Sequence, residues 1–206
     1  MRQYLATLNV MAITAYGVKN HAVPGNDLDA SNRDDQINIR NWPVSGFYQP
    51  DAIAALSHNG EVFVLTANEG DARDYDGFSE EFRVADLTLD PGAFPDAATL
   101  QLDENLGRLR ITNQNGDVDS DMDFDQLFSY GARSFSVWNG TNGQLVWDSG
   151  DEFERRTAEF GLPFFNLDDN RSDDKGPEPE GIAIAHLNGQ AIAAVGLERT
   201  GGFFLY

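Results

Sequence analysis

Apolar and polar residues alternate along most of the chain in short runs that Gly, Pro, Asn and Asp interrupt. The runs are DAIAALS (51–57), EVFVLTAN (61–68), EFRVADLTL (81–89), GRLRIT (107–112), SFSVWN (134–139), QLVWDS (144–149), GIAIAHL (181–187), AIAAVGLE (191–198) and GFFLY (202–206). Successive side chains of a strand point to opposite faces, so this period of two predicts half-buried β-strands. HNG (58–60), NGTNG (139–143) and LNG (187–189) supply tight turns between several of them. The expected organisation is therefore antiparallel meanders, and stretches with a helical period are scarce.

Residues 181–206 read as strand, LNG turn, strand, RTGG turn and strand, which is three-quarters of a propeller blade. Residues 50–89 repeat the pattern: PDAIAALSHNGEVFVLTANEG stands against PEGIAIAHLNGQAIAAVGLERTGG. Their separation exceeds the roughly 40–45 residues of one blade, so a further blade with a long acidic excursion is expected between them. The predicted fold is all-β, a partial β-propeller of about three blades with long acidic loops, in one domain over residues 1–206. Closed propellers use about four to eight blades, so open blade edges would pair with further strands or with another copy of the chain.

Charge changes the picture. The 206 residues include 34 Asp and Glu against 14 Lys and Arg, a formal net charge of −20. Such a surface repels phosphate backbones at long range and disfavours nucleic acid as a partner unless a cation intervenes, so no nucleic acid is expected. Calcium-type cations, or solubility in a salty medium, are the favoured explanations. Cysteine is absent, which removes disulfides, thiolate metal sites and a Cys nucleophile together. No run approaches the roughly 20 apolar residues of a membrane span. The opening MRQYLATLNVMAITAYG carries an early Arg and an apolar stretch interrupted by Asn9 and Thr14. It reads as a first strand or a start inside a longer protein more readily than as a signal segment.

Three stretches could carry chemistry. In NGDVDSDMDFDQ, Asp117, Asp119, Asp121, Asp123 and Asp125 alternate. In an extended segment they share one side, where they resist ionisation unless a cation sits among them. Calcium is the expected ion because it accepts several oxygens in irregular loops, although the spacing is not that of an EF-hand. The alternative is a solvated acidic loop. The second stretch, NEGDARDYD, brings Glu69, Asp71, Arg73, Asp74 and Asp76 to the end of a strand. These residues either line a site on rigid support or use Arg73 to fix the turn by ion pairing. In the third, RSDDKGPEPEG, Pro177 and Pro179 hold an extended backbone that aims Glu178 and Glu180 to similar sides. With Arg171, Lys175, Glu198 and Arg199 they could hold a metal and an oxyanion, or form a polar network that ties blades together. Arg133, in SYGARSFSVW, is a further candidate for anion binding. None of the three histidines stands at metal-ligand spacing, and no nucleophile elbow, phosphate loop or dinucleotide fingerprint is present.

The stretches NDLDASNRDDQINIRNWPVSGFYQPDAIAAL, LTANEGDARDY, NGDVDSDMDFDQLFSYGARSFSVWN, VWDSGDEFE, SDDKGPEPEGIAI and VGLERTGGFFLY together resemble the choice-of-anchor I family. Its members are extracellular or periplasmic bacterial β-propeller proteins, often labelled alkaline phosphatase-like. The resemblance runs from about Tyr16 to Tyr206, leaving the first fifteen residues outside it, and corresponds to the C-terminal portion of longer members. It implies a propeller whose acidic loops face a central funnel, and an extracellular or periplasmic location. PEPEG is also similar to the metal-lined first strands of phytase-like propellers. The expected function is that of a calcium-binding propeller domain. One alternative is a calcium-dependent phosphoesterase acting on a phosphate-containing small molecule, with Arg73, Arg133 or Arg199 steadying charge. The other is a non-catalytic interaction scaffold.

Overall fold

The computed structural model describes residues 13–206, so most of the opening stretch lies outside the described residues. The chain is all-β with short helices. A five-stranded sheet holds, in spatial order, β1 (Val18–Asn20), β2 (Ser45–Phe47), β9 (Phe128–Ser129), β8 (Arg110–Thr112) and β7 (Glu81–Arg83). All its neighbours are antiparallel except β2 and β9, which run parallel. A four-stranded antiparallel sheet has the order β11 (Leu145–Asp148), β10 (Ser134–Asn139), β4 (Glu61–Asn68), β3 (Ala52–His58). A three-stranded antiparallel sheet follows as β12 (Pro179–Leu187), β13 (Gln190–Leu197) and β14 (Phe203–Leu205). The two-residue strands β5 (Asp74–Tyr75) and β6 (Phe78–Ser79) form a small hairpin.

The turn chemistry works as read. Asn59 and Gly60 both take positive φ, 52° and 85°, as do Asn188 and Gly189 at 52° and 81°. Two left-handed residues match the twist of the flanking strands, and they close hairpins at His58–Glu61 and Leu187–Gln190. In β3 the half-buried Ala52, Ala54 and Leu56 alternate with exposed Ile53, Ala55 and Ser57.

Three expectations change. Residues 81–89 are not one strand: β7 stops at Arg83 and a 3-10 turn spans Val84–Asp86. There the Gln101 side chain bonds the carbonyls of Val84 and Leu87, which a ladder would otherwise occupy. Residues 50–89 do not build their own blade. The β3–β4 hairpin is completed by β10 and β11, with Ser134 opposite Asn68, so the intervening residues are an excursion that supplies β5–β9. Finally, a helix α2 over Glu152–Ala158 stands between β11 and β12, after a shorter one, α1, over Ala97–Leu100.

Two large apolar cores result, beside a smaller cluster of Tyr48, Ala132 and Trp138. One gathers Leu28, Trp42, Val84, Leu106, Leu109 and Ile111 beside the five-stranded sheet. The other joins the four- and three-stranded sheets through Leu65, Phe135, Val195 and Leu197, with Phe153 of α2 seated edge-on against Phe204. Burying side chains of this size stabilises by about 1.5–3 kcal/mol each. These cores fix the ends of β4, β12 and β13, from which the polar loops emerge.

Candidate functional site

The stretch 171–181 lies where β4 ends, β12 begins and β13 ends. Pro179 lies opposite Leu197 in the ladder, which sets Glu178 beside Glu198 and Arg199. Glu69 follows β4 directly, and carboxylate oxygens of Glu69, Glu178 and Glu198 come within 4.8 Å of one another. A second triplet at that spacing joins Glu69 to Asp51 and Glu180. The bend after β4 needs glycine: a Cβ on Gly70 would lie 2.0 Å from the Gly131 nitrogen, and Gly70 has φ 76°.

This cluster is already supplied with cations. Glu178 is fully buried and accepts hydrogen bonds from Arg171 Nε and, at 3.0 Å, from Arg199 Nε. Lys175 donates to Glu69 and stands 3.9 Å from both Asp71 and Glu178. Arg171 also pairs with Asp174 at 2.8 Å. Burial pushes the Glu69 carboxyl up, helped by Glu178 and Asp51 and opposed by Lys175. Burial alone would lower Lys175, but Glu69, Glu178 and Asp71 together hold it above its usual value. Glu198 is likewise raised, by its surroundings first and then by Glu178 and Glu180.

The extended backbone expected at PEPEG begins only at Pro179, the first residue of β12. Glu178 has φ 51°, and the register shifts between Pro179 and Gly181, so Glu178 turns inward while Glu180 is exposed. A residue before proline is ordinarily held in the extended region; Glu178 departs from it, and its carboxylate meets Arg171 and Arg199. Arg133 does not join this cluster. It is 2% exposed beneath the loop, bonded to Glu154 at 2.6 Å and to the carbonyls of Asp29, Ser172 and Asp174. Arg73 takes the turn-fixing role: its guanidinium grips Glu80 through Nε and Nη2, and its backbone N–H donates to the same carboxylate. Asp71 and Asp74 are exposed.

The five alternating aspartates lie between β8 and β9 in an irregular loop, which replaces the extended geometry expected of them. Ser120 and Met122 take φ of 68° and 78°. Asp117 accepts the N–H groups of Ser120 and Met122, Asp121 that of Asp123, and Asp125 that of Val118. These local bonds fold the segment and divide the carboxylates. Asp117, Asp119 and Asp125 form one triplet with oxygens within 4.8 Å, and Asp123 and Asp125 form another with Asp90. Asp121 belongs to neither triplet. Repulsion from Asp121 raises the Asp119 carboxyl, and Asp123 is pushed up to about 6 by its surroundings, then by Asp121 and Asp90. One Asp123 oxygen is buried with no hydrogen-bond partner.

Sequence reading missed Asp90, which lies far from the repeat, and a buried network under β10. Lys19, 3% exposed, pairs with Asp148 at 3.0 Å and donates to Ala132 and Gly150 carbonyls. Asp148 in turn accepts from Ser134 and Ser136, which Asn68 bridges. Burial lowers Lys19 despite that carboxylate. The alternation of small polar residues in SFSVWN was the available signal, because serines on the inward face of a central strand need a polar partner.

Comparison with known proteins agrees with the motifs. The sequence model of the family described as Choice-of-anchor I domain matches residues 4–206, beginning earlier than the Tyr16 at which the motif resemblance starts. Gigasin-3a of Magallana gigas is 35% identical over 119 residues, covering 52% of this chain and 42% of that protein. A mesenchyme-specific cell surface glycoprotein of Strongylocentrotus purpuratus is 26% identical over 94% of this chain and 30% of its own length. The chain thus spans less than half the length of the curated relatives it matches. No solved structure matches. Among the described residues no helix is long and apolar enough to cross a membrane.

Proposed function

The chain belongs to the choice-of-anchor I family, and from that premise we propose that it is an extracellular, propeller-type domain that binds calcium and serves recognition at a cell surface. The location rests on the family and on the sea-urchin relative, which is named a cell surface glycoprotein. The propeller reading rests on the four-stranded meander of two hairpins set against the three-stranded one, with their apolar faces sharing a core.

The observation that carries calcium binding is the pair of triplets joined by Asp125, one of which includes the carboxylate of Asp123, with its one unpartnered oxygen, together with Asp90. Asp90, Asp117, Asp119, Asp123 and Asp125 would hold the ion, which offsets their mutual repulsion and gives that oxygen a partner. Binding is favoured over phosphoester hydrolysis because the candidate guanidinium groups are committed to protein. Arg73 is held by Glu80, Arg133 by Glu154, and Arg171 and Arg199 by Glu178.

The test is thermal unfolding in EDTA, in calcium and in sodium chloride of equal ionic strength, repeated for Asp119→Asn with Asp123→Asn. These two side chains leave intact the loop bonds made by Asp117, Asp121 and Asp125. A calcium-specific rise of about 5–10 °C at a hundredfold excess over the dissociation constant is expected, and the double variant should reduce it. Equal midpoints in calcium and sodium chloride would refute the reading.

A further inference from the structure

A different set of acids meets where residues 29–38 lie against the loop 166–174. Asp169 is buried and accepts a hydrogen bond from Ser172 Oγ at 2.6 Å. Asn166 is fully buried beside it, and its amide contacts Ser172 Oγ at 3.0 Å and Glu154 Oε2 at 3.1 Å. The chemistry of those contacts fixes which way the amide faces. Ser172 has spent its one proton on Asp169 and Glu154 is paired with Arg133, so both accept from Asn166. The nitrogen must face them, and the Asn166 oxygen is left with no donor. Both carboxylate oxygens of Asp34 are also buried and without a partner.

Nearby cations do not answer this demand. Arg133 is used by Glu154 and three carbonyls, and Arg83 and Arg108 converge on Asp173. Among the described residues no Lys or Arg pairs with Asp29, Asp34 or Asp169. Burial pushes Asp169 up to about 6, with Asp34, Glu154 and Asp173 adding to it, and pushes Asp29 up to about 7, with Glu154 and Asp169 adding. Asp29 spends both oxygens on the N–H groups of Ser31 and Asn38. A single water brings two protons to three orphaned oxygens and leaves the charge unbalanced, whereas a cation meets both needs.

We propose that Asp34, Asp169 and the side-chain oxygen of Asn166 form a second cation site, distinct from the loop between β8 and β9, whose ion clasps the segment 29–38 to the loop 166–174. The ligands are all hard oxygens, with no His or Cys among them. Asn166, Leu167, Asp168 and Asp169 take successive positive φ values, and so irregular a loop suits calcium better than magnesium, which demands a regular octahedron. A cavity of about 220 Å³ lined by Asn32, Asp35, Leu162, Asp168, Asp169 and Asn170 opens beside Asp169.

The site shares no residue with the loop between β8 and β9, so the two calcium readings stand or fall separately. Calcium equivalents bound by the full chain would be counted by equilibrium dialysis for the wild type, for Asp34→Asn with Asp169→Asn, and for Asp119→Asn with Asp123→Asn. The first variant should lose one equivalent that the second retains. Midpoints should also cross: in EDTA the first variant unfolds at or above the wild-type temperature because buried unpaired charge is removed, and in calcium it unfolds below. If the double variant does not fold, Asp34→Asn alone gives the same crossing. An unchanged equivalent count, with the orphaned oxygens served by water, would overturn the proposal. So would a midpoint lowered equally in EDTA and in calcium, the mark of a purely structural role.

Discussion

Two acid-rich loops of this protein carry their charge in opposite ways. In residues 171–178, Asp173 meets Arg83 and Arg108, Asp174 meets Arg171 and lies 3.7 Å from Arg110, and Glu178 meets Arg171 and Arg199. In residues 115–126 there is no Lys or Arg, and the carboxylates accept hydrogen bonds from the loop's own backbone. The first loop can therefore be buried, since each charge has a partner where water is excluded. The second stays at the surface with its charge uncompensated. Density of acid alone does not locate a cation site; the origin of the countercharge does. In the matched loop most of that countercharge arrives from β7, from the turn before β8 and from the end of β13.

The largest way to break the contrast is Arg133→Ala, beneath the matched loop. It leaves Glu154 buried without a counterion and three carbonyls without a donor, and should cost about 3–5 kcal/mol in urea unfolding. A loss below about 1 kcal/mol would mean that the loop is not held from beneath. Next, Glu178→Gln keeps the shape but removes the buried charge facing Arg171 and Arg199, and should cost about 2 kcal/mol. In the unmatched loop Asp121→Asn should instead leave the calcium-free chain unharmed or steadier, because Asp121 is what most raises Asp119. A destabilisation equal to that of Glu178→Gln would erase the distinction between the loops.

A pH titration sharpens it. Asp169 and Asp29 have folded values near 6 and 7 against a usual 3.8, so the folded chain binds protons more tightly than the unfolded chain. Their contribution is complete below about pH 4 and is lost as pH rises to about 7. Denaturant midpoints of the calcium-free chain should decline through that window, where Asp34, Glu154 and Asp173 crowd Asp169, and Glu154 and Asp169 crowd Asp29. Saturating calcium should flatten the decline.

Much of the strand plan was readable because it is local. SFSVWN coincides with β10, and both Asn-Gly hairpins close where left-handed residues permit. The metal candidates were half readable. Five alternating aspartates announced a loop poor in countercharge, but their sorting into two triplets depends on positive φ at Ser120 and Met122 and on Asp90 from another segment. The helix α2 was hidden because its apolar contribution is little more than Phe153, set among charged residues that read as one more acidic loop.

By itself the sequence determined the all-β character, the hairpins, the family and the excess of acid, since each depends on residues a few positions apart. Only the tertiary structure decided that β4 pairs with β10, that Glu178 is neutralised while Asp34 is not, and that Arg133 lies beneath a loop. Those outcomes turn on which distant groups share a space without water, where an unmatched charge costs most, and chain spacing carries no record of that proximity.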